Sequence, residues 1–255
     1  MSKIYIGTSG YSYPHWTSVF YPEDLPSGKW LEFYAQHFST VELNVTFYRL
    51  PQEKTFEGWY RRTPKDFLFV VKGSRFITHV KKLANCQEPL DLLMSRAKLL
   101  KEKLGIILWQ LPPSFKIDIQ RLEEFLKLLR AQSPELRASF EFRHQSWFCQ
   151  EVYDLLKKYK AALCIADSPR LRSPSFGGQA YWPYSEEITA DFIYLRFHGG
   201  KELYGSNYSD RELKEWAKKI KKWEKKNLDI YTYFNNDAYG YAVANAKTLK
   251  NLTKG

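Results

Sequence analysis

Eight short runs rich in β-branched and aromatic residues alternate with amphipathic helical patterns along the whole chain, and nothing else in the sequence restricts its fold as strongly. The runs are KIYIG at 3–7, TVELN at 40–44, FLFVVK at 67–72 and GIILWQ at 105–110, then ASFEFR at 138–143, ALCIAD at 162–167, FIYLRFH at 192–198 and DIYTYFN at 229–235. Helical spacing occupies the intervals near 28–38, 52–62, 88–103, 118–131, 149–159, 209–226 and 239–251. A strand followed by a helix brings the next strand back parallel, and eight is the strand number of the (β/α)8 barrel. The expected architecture is α/β: a single (β/α)8 TIM-barrel-like domain over 1–255, of ordinary length for that fold.

Local signals agree with the alternation. Asp118 is placed to cap a helix whose apolar face is Leu122, Phe125, Leu126 and Leu129, and Ser209 with Glu212 forms a capping box. The stretch 168–190 has three prolines, a Gly177-Gly178 pair and no period, so it reads as a long loop and a candidate lid. The connection from Thr8 to Gly28 is also long and is crowded with Tyr11, Tyr13, His15, Trp16 and Tyr21.

Composition narrows the class of protein. Hydrophobic residues at 44% and aromatics at 17% exclude a disordered chain. A net charge of +11 favours anionic partners, although much of it lies in KEWAKKIKKWEKK, where Trp216, Ala217, Ile220 and Trp223 recur at helical spacing and leave the lysines on a solvated face. Cys86, Cys149 and Cys164 are an odd set without CxxC spacing, which points to structural thiols in a reducing cytoplasm rather than a disulfide framework or a zinc ribbon. A strand pattern begins almost at the first residue with no leader ahead of it, and no apolar stretch nears the ~20 residues of a membrane span, so a cytoplasmic protein is expected. No Walker loop, GxGxxG, GxSxG or HExxH occurs, which removes four common enzyme motifs.

Side-chain alternation then sorts the polar residues, because one parity of a barrel strand faces the interior and the other packs under the helices. With Val41, Leu43 and Val45 outward, Glu42 and Asn44 point inward; with Phe140 and Phe142 outward, Glu141 and Arg143 do; Tyr194, Arg196 and His198 follow from the seventh run. Lys72, Gln110, Asp167 and Asn235 each end an apolar run at a position expected to face inward, and Tyr48, Arg49, Arg75, His79, His144, Asn236 and Asp237 would ring the opening. A polar residue at nearly every strand end implies a shared, solvated pocket at the carboxyl-terminal mouth, where barrels of this kind bind ligands. The structural alternative is that Glu42, Glu141 and Asp167 simply neutralise Lys72, Arg143 and Arg196 in a buried ion network.

The candidate catalytic residues are Glu42, Glu141, Asp167 and His198: the imidazole titrates near neutrality, and a carboxylate becomes a base if its pKa is raised. Asn44, Tyr48, Lys72, Arg75, His79, Gln110, Arg143, Arg196, Asn235, Asn236 and Asp237 are the candidate binding residues, with the cations suited to a phosphate or carboxylate. No cofactor is expected. A divalent metal on Glu42, Glu141, Asp167 and His198 is a minor alternative, opposed by the nearby cations.

The ordered segments GTSGYSYPHW, VELNVTFYRLP, FVVKGSRFITHVKKL, LGIILWQLPPSF, FEFRHQSW, YLRFHGG and YFNND make the chain resemble the YecE-like family, catalogued as domain of unknown function seventy-two. The resemblance implies a TIM-barrel-like fold without a settled activity, and its motif positions fall on the residues above together with Trp147. Three functions compete: an enzyme acting on a small anionic, phosphorylated or carboxylated substrate by acid–base chemistry; a nucleic-acid binding or processing protein; and a non-catalytic binding protein. The oligomeric state is open.

Overall fold

The computed structural model describes residues 2–169 and 183–254. Eight parallel strands run in the order β1-β8-β7-β6-β5-β4-β3-β2. They are β1 (Ile4–Thr8), β2 (Thr40–Leu43), β3 (Leu68–Lys72), β4 (Leu104–Gln110), β5 (Arg137–Glu141), β6 (Ala162–Asp167), β7 (Phe192–Phe197) and β8 (Asp229–Phe234). The helices are α1 (Trp30–His37), α2 (Val45–Tyr48), α3 (Glu53–Arg61), α4 (Gln87–Ala97), α5 (Ile119–Gln132), α6 (Gln150–Lys158), α7 (Asp210–Glu224) and α8 (Tyr241–Thr253). This is the expected barrel, and both anticipated caps form: Asp118 Oδ1 accepts from the Arg121 amide at 3.0 Å, and Ser209 and Glu212 exchange the two bonds of a capping box.

Two layers of apolar packing result from strand alternation. Val70, Ile106, Leu108, Cys164, Tyr194 and Tyr233 fill the barrel interior. Val41, Phe69, Phe140 and Leu195 belong to the larger outer core together with Leu122, Phe125 and Trp216 of the helices. Each fully buried large side chain stabilises the fold by roughly 1.5–3 kcal/mol.

The cylinder closes between β1 and β2, where the ladder is thinnest. Ser9 bridges Glu42, and the Gly10 amide donates to the Glu42 carbonyl at 2.7 Å. Below that point the Tyr34 hydroxyl stands between the strands, accepting from the Thr8 amide at 3.0 Å and donating to the Thr40 carbonyl at 3.0 Å. Gly7 is required there, since a Cβ would lie 2.3 Å from the Thr40 oxygen.

At the amino-terminal foot of the barrel two cations are held by hydrogen bonds. Arg137 donates to Asp229 and the Tyr231 hydroxyl, both at 2.7 Å, and the buried Lys103 ammonium donates to the carbonyls of Tyr60 and Thr63 at 2.7 and 2.8 Å and to Thr63 Oγ1 at 3.1 Å.

Two local expectations are corrected, one on a helix and one on a strand end. The period expected over 88–103 splits, because α4 stops at Ala97 and a tighter turn with Lys101 at φ 51° leads into β4. Val45 does not continue β2 but opens the short α2 and is exposed. Cys86, Cys149 and Cys164 are free thiols. Among the described residues no helix is long and apolar enough to cross a membrane. Most of the candidate lid lies outside the described residues.

Candidate functional site

Arg196 organises the floor of the mouth. Fully buried on β7, it spans two carboxylates from opposite sides of the barrel: Nε and Nη2 reach Glu42 at 3.0 and 2.7 Å, and Nη1 reaches Glu141 at 2.5 Å. Glu42 also accepts from the Tyr194 hydroxyl at 2.6 Å and from Ser9, while Glu141 accepts from Arg143 Nε at 2.7 Å. Burial alone would raise both carboxyl pKa values, but Arg196, with Lys72 beside Glu42 and Arg143 beside Glu141, holds them below the usual carboxylate range. They are therefore permanent anions at neutral pH rather than carboxyls tuned upward to act as bases.

His198 belongs to the same layer. Asn235 Nδ2 lies 3.1 Å from its Nδ1, and its Nε2 is 3.6 Å from Glu141. An amide donor at Nδ1 assigns the proton to Nε2, the nitrogen that faces Glu141. Burial, strengthened by Arg196 and Arg143, pushes its pKa down to about 4, so the ring is neutral near pH 7.

Above this floor opens a cavity of about 500 Å³. Asn44, Lys72, Gln110, Arg143, Asn235 and Asp237 face it from the strand ends, and Tyr48, Arg75 and His79 from the loops. Lys72 is only 7% exposed, its Nζ lies 4.2 Å from the centre of the Phe47 ring, and no oxygen of the described residues accepts a hydrogen bond from it. The chain can turn away just after Lys72 because Gly73 lies against Trp109, where a Cβ would stand 2.3 Å from the indole ring. Burial, aided by Arg196 and Arg143, lowers the Lys72 pKa to about 7. Burial also lifts Asp237 to about 6, although Trp16 donates to it at 2.6 Å and His15 Nε2 lies 3.1 Å away. His79, pushed down to about 4 by burial and by Arg143, Lys72 and Arg75, is neutral.

A family model described as "Protein of unknown function DUF72" matches residues 5–255. The chain belongs to the DUF72 family. A DUF72 protein of Thermotoga maritima has a crystal structure that superposes with a TM-score of 0.85 at 33% identity, covering 98% of each chain. The UPF0759 protein YunF of Bacillus subtilis is 27% identical over 98% of this chain and 94% of its own length. D-psicose 3-epimerase of Clostridium cellulolyticum, at 12% identity and a TM-score of 0.53 over 98% of each chain, shares the barrel fold.

Within this DUF72 barrel the nominated residues divide into three groups. Glu42, Glu141, Arg196 and His198 are gathered, but as a sealed layer beneath the cavity. Asn44, Tyr48, Lys72, Arg75, His79, Gln110, Arg143, Asn235 and Asp237 line the cavity itself. Asp167 and Asn236 are turned elsewhere. On β6 the inward positions are the small Ala162, Cys164 and Ala166, while Leu163 and Ile165 pack outward, so Asp167 shares their outward face and bonds Tyr208. Asn236 is buried against Ser206 and Asn245, to which its side-chain amide donates at 2.9 and 2.8 Å. The four ligands considered for a metal are thus not brought to one point: Arg196 occupies the space between Glu42 and Glu141, and Asp167 faces away.

Arg49, His144 and Trp147 do not line the cavity; Trp147, for example, donates to the Phe115 carbonyl at 2.6 Å as a packing residue. Sequence reasoning missed Ser9, Phe47 and Tyr204, the last of which lies 3.4 Å from Arg143 Nη2. None of them sits in a strand, so alternation carries no signal for them. Tyr13 and His15, which also line the cavity, were visible only as members of an aromatic-rich connection.

Proposed function

We propose that this DUF72 barrel is an enzyme that binds a small anionic substrate, phosphorylated or carboxylated, in the mouth cavity and acts on it by acid–base chemistry. The charge layout carries this reading: Glu42 and Glu141 offset Arg143 and Arg196, which leaves Lys72 and Arg75 against Asp237 alone. A pocket with a cationic surplus over a neutralised floor suits a phosphate or carboxylate. Asp237, whose pKa burial lifts to about 6, is a cavity carboxyl raised toward neutral pH and suited to acid–base work. The free cysteines accord with a cytoplasmic setting.

A thermal-shift panel of sugar phosphates, carboxylates and neutral sugars tests the binding step. Stabilisation by one class of anion is expected, with a rise of about 2.7 kcal/mol at a hundredfold excess over Kd. Arg75→Gln, at an exposed site, should weaken it about tenfold without loss of folding. No response to any anion would remove the reading.

A second reading rests on exposed rings near the opening, Tyr48 at 77% and Tyr239 at 65%, which offer stacking surfaces to bases beside a cationic pocket. Binding of single-stranded oligonucleotides that grows with length and falls steeply with salt would favour it.

A further inference from the structure

Among the described residues Lys72 is unlike the other buried cations. Lys103 is enclosed by three oxygens and Arg196 by Glu42 and Glu141, and even the partly exposed Arg137 is held by carboxylates and a phenol. The Lys72 amine instead ends in the cavity, against an aromatic ring, with no acceptor among the described residues. A charge in that position is doubly disfavoured, since it has little water and two guanidinium groups nearby. Conditions that disfavour an ammonium are those that make an amine nucleophilic. A lysine whose work was to hold an anion by charge alone would gain nothing from such surroundings.

We infer that Lys72 is a covalent catalytic residue that condenses with the carbonyl group of an anionic aldehyde or ketone, such as a 2-oxo acid or a phosphorylated ketose fragment. The inference rests on the anionic-substrate reading and adds the reacting group to it. Arg75 provides the charge for the carboxylate or phosphate, with Arg143 beside it on the cavity lining, and the carbonyl carbon then meets the lysine at the cavity wall. The amine lone pair forms a C–N bond as the C=O π pair moves to oxygen, and the proton released by nitrogen passes to that oxygen. The C–O bond of this carbinolamine then breaks. Its hydroxyl takes one proton from solvent and leaves as water, and the nitrogen lone pair completes an iminium ion. No oxidant, reductant or metal is consumed.

The groups facing the amine set its pH response. Burial, Arg196 and Arg143 disfavour its protonation, Glu42 and Glu141 favour it, and Arg75 and the neutral His79 face the same cavity. Their balance leaves a large neutral fraction at pH 7–8, where an exposed lysine has less than one per cent.

The test is reductive trapping on the full chain. Protein is mixed with pyruvate or dihydroxyacetone phosphate and cyanoborohydride at pH 7.5, then weighed intact and mapped by peptide. The expected product carries one addition, equal in mass to the carbonyl compound less one oxygen, on Lys72. Trapping there should exceed that at any surface lysine by more than tenfold and should disappear in both Lys72→Met and Lys72→Gln, whose folding is checked by circular dichroism. Should either variant fail to fold, the peptide map of the wild-type chain decides alone. Addition spread evenly over surface lysines overturns the inference. Lactate and glycerol 3-phosphate, which lack the carbonyl, separate the two readings. If they stabilise the protein while no Lys72 adduct forms with the carbonyl compounds, the covalent step is wrong and the anion pocket stands. If no anion stabilises it, the pocket reading fails as well.

Discussion

The foot and the mouth of this barrel each bury a lysine, and the two are treated in opposite ways. At the foot, Lys103 satisfies all three of its donors on the oxygens of Tyr60 and Thr63 and simply ties the turn before β4 to the end of α3. At the mouth, Lys72 is just as enclosed yet faces open space and a phenyl ring. Burial by itself therefore says little about role. What separates a structural cation from one held for chemistry is whether its donors are already spent.

The largest test of this contrast concerns Arg196, whose guanidinium is committed to Glu42, Glu141 and Ser9. Arg196→Met would leave two buried carboxylates uncompensated and should cost about 3–5 kcal/mol in chemical denaturation; a loss below ~1 kcal/mol would mean that the floor is not a saturated layer. Adding Glu42→Gln and Glu141→Gln to that variant should recover part of the loss, because the orphaned charges go with them.

Next comes Lys103→Met, which deprives three oxygens of their donor and should destabilise by about 2–3 kcal/mol. Lys72→Met should move the other way and raise stability by on the order of 1–2 kcal/mol near pH 7, since it removes a poorly compensated charge. Two substitutions of the same sign and size would dissolve the contrast between the ends.

The smallest effect is a slope. With a folded pKa of about 7 against roughly 10.4 for the unfolded chain, Lys72 binds less than its full proton only in the native state between those values. Its destabilising charge is fully present below about pH 7 and relieved as pH rises toward 10, so wild type should gain on Lys72→Met across that window. Parallel stability curves from pH 7 to 10 would show that the amine is ordinarily protonated.

Much of the fold was legible because period and parity are geometric. All eight strands and seven of the helices fall within a few residues of their patterns, and inward polar residues such as Glu42, Lys72, Gln110 and Arg143 follow from alternation. The failures are equally physical. Asp167 was misjudged because its strand carries small inward residues, so the large outward Leu163 and Ile165 set the face it shares. The division into a sealed floor and an open cavity depends on depth along the barrel axis, which alternation does not encode. Whether Glu42 meets Arg196 or a ligand depends on which side chain is long enough to reach across, and that is decided only by the closed cylinder.

At the join of β1 and β2 a borrowed phenol helps to complete the ring: beneath the single Ser9–Glu42 bridge, two polar links run in series through Tyr34 where the other seven joints have peptide ladders. A zipper with one such tooth parts there first, and amide exchange would register the Thr8 proton escaping before its counterparts on β7. Glu42 on β2 and Ser9 just past β1 stand directly above that tooth, so early loss of the Thr8 proton would mark the one seam of the cylinder that runs up to the floor of the mouth.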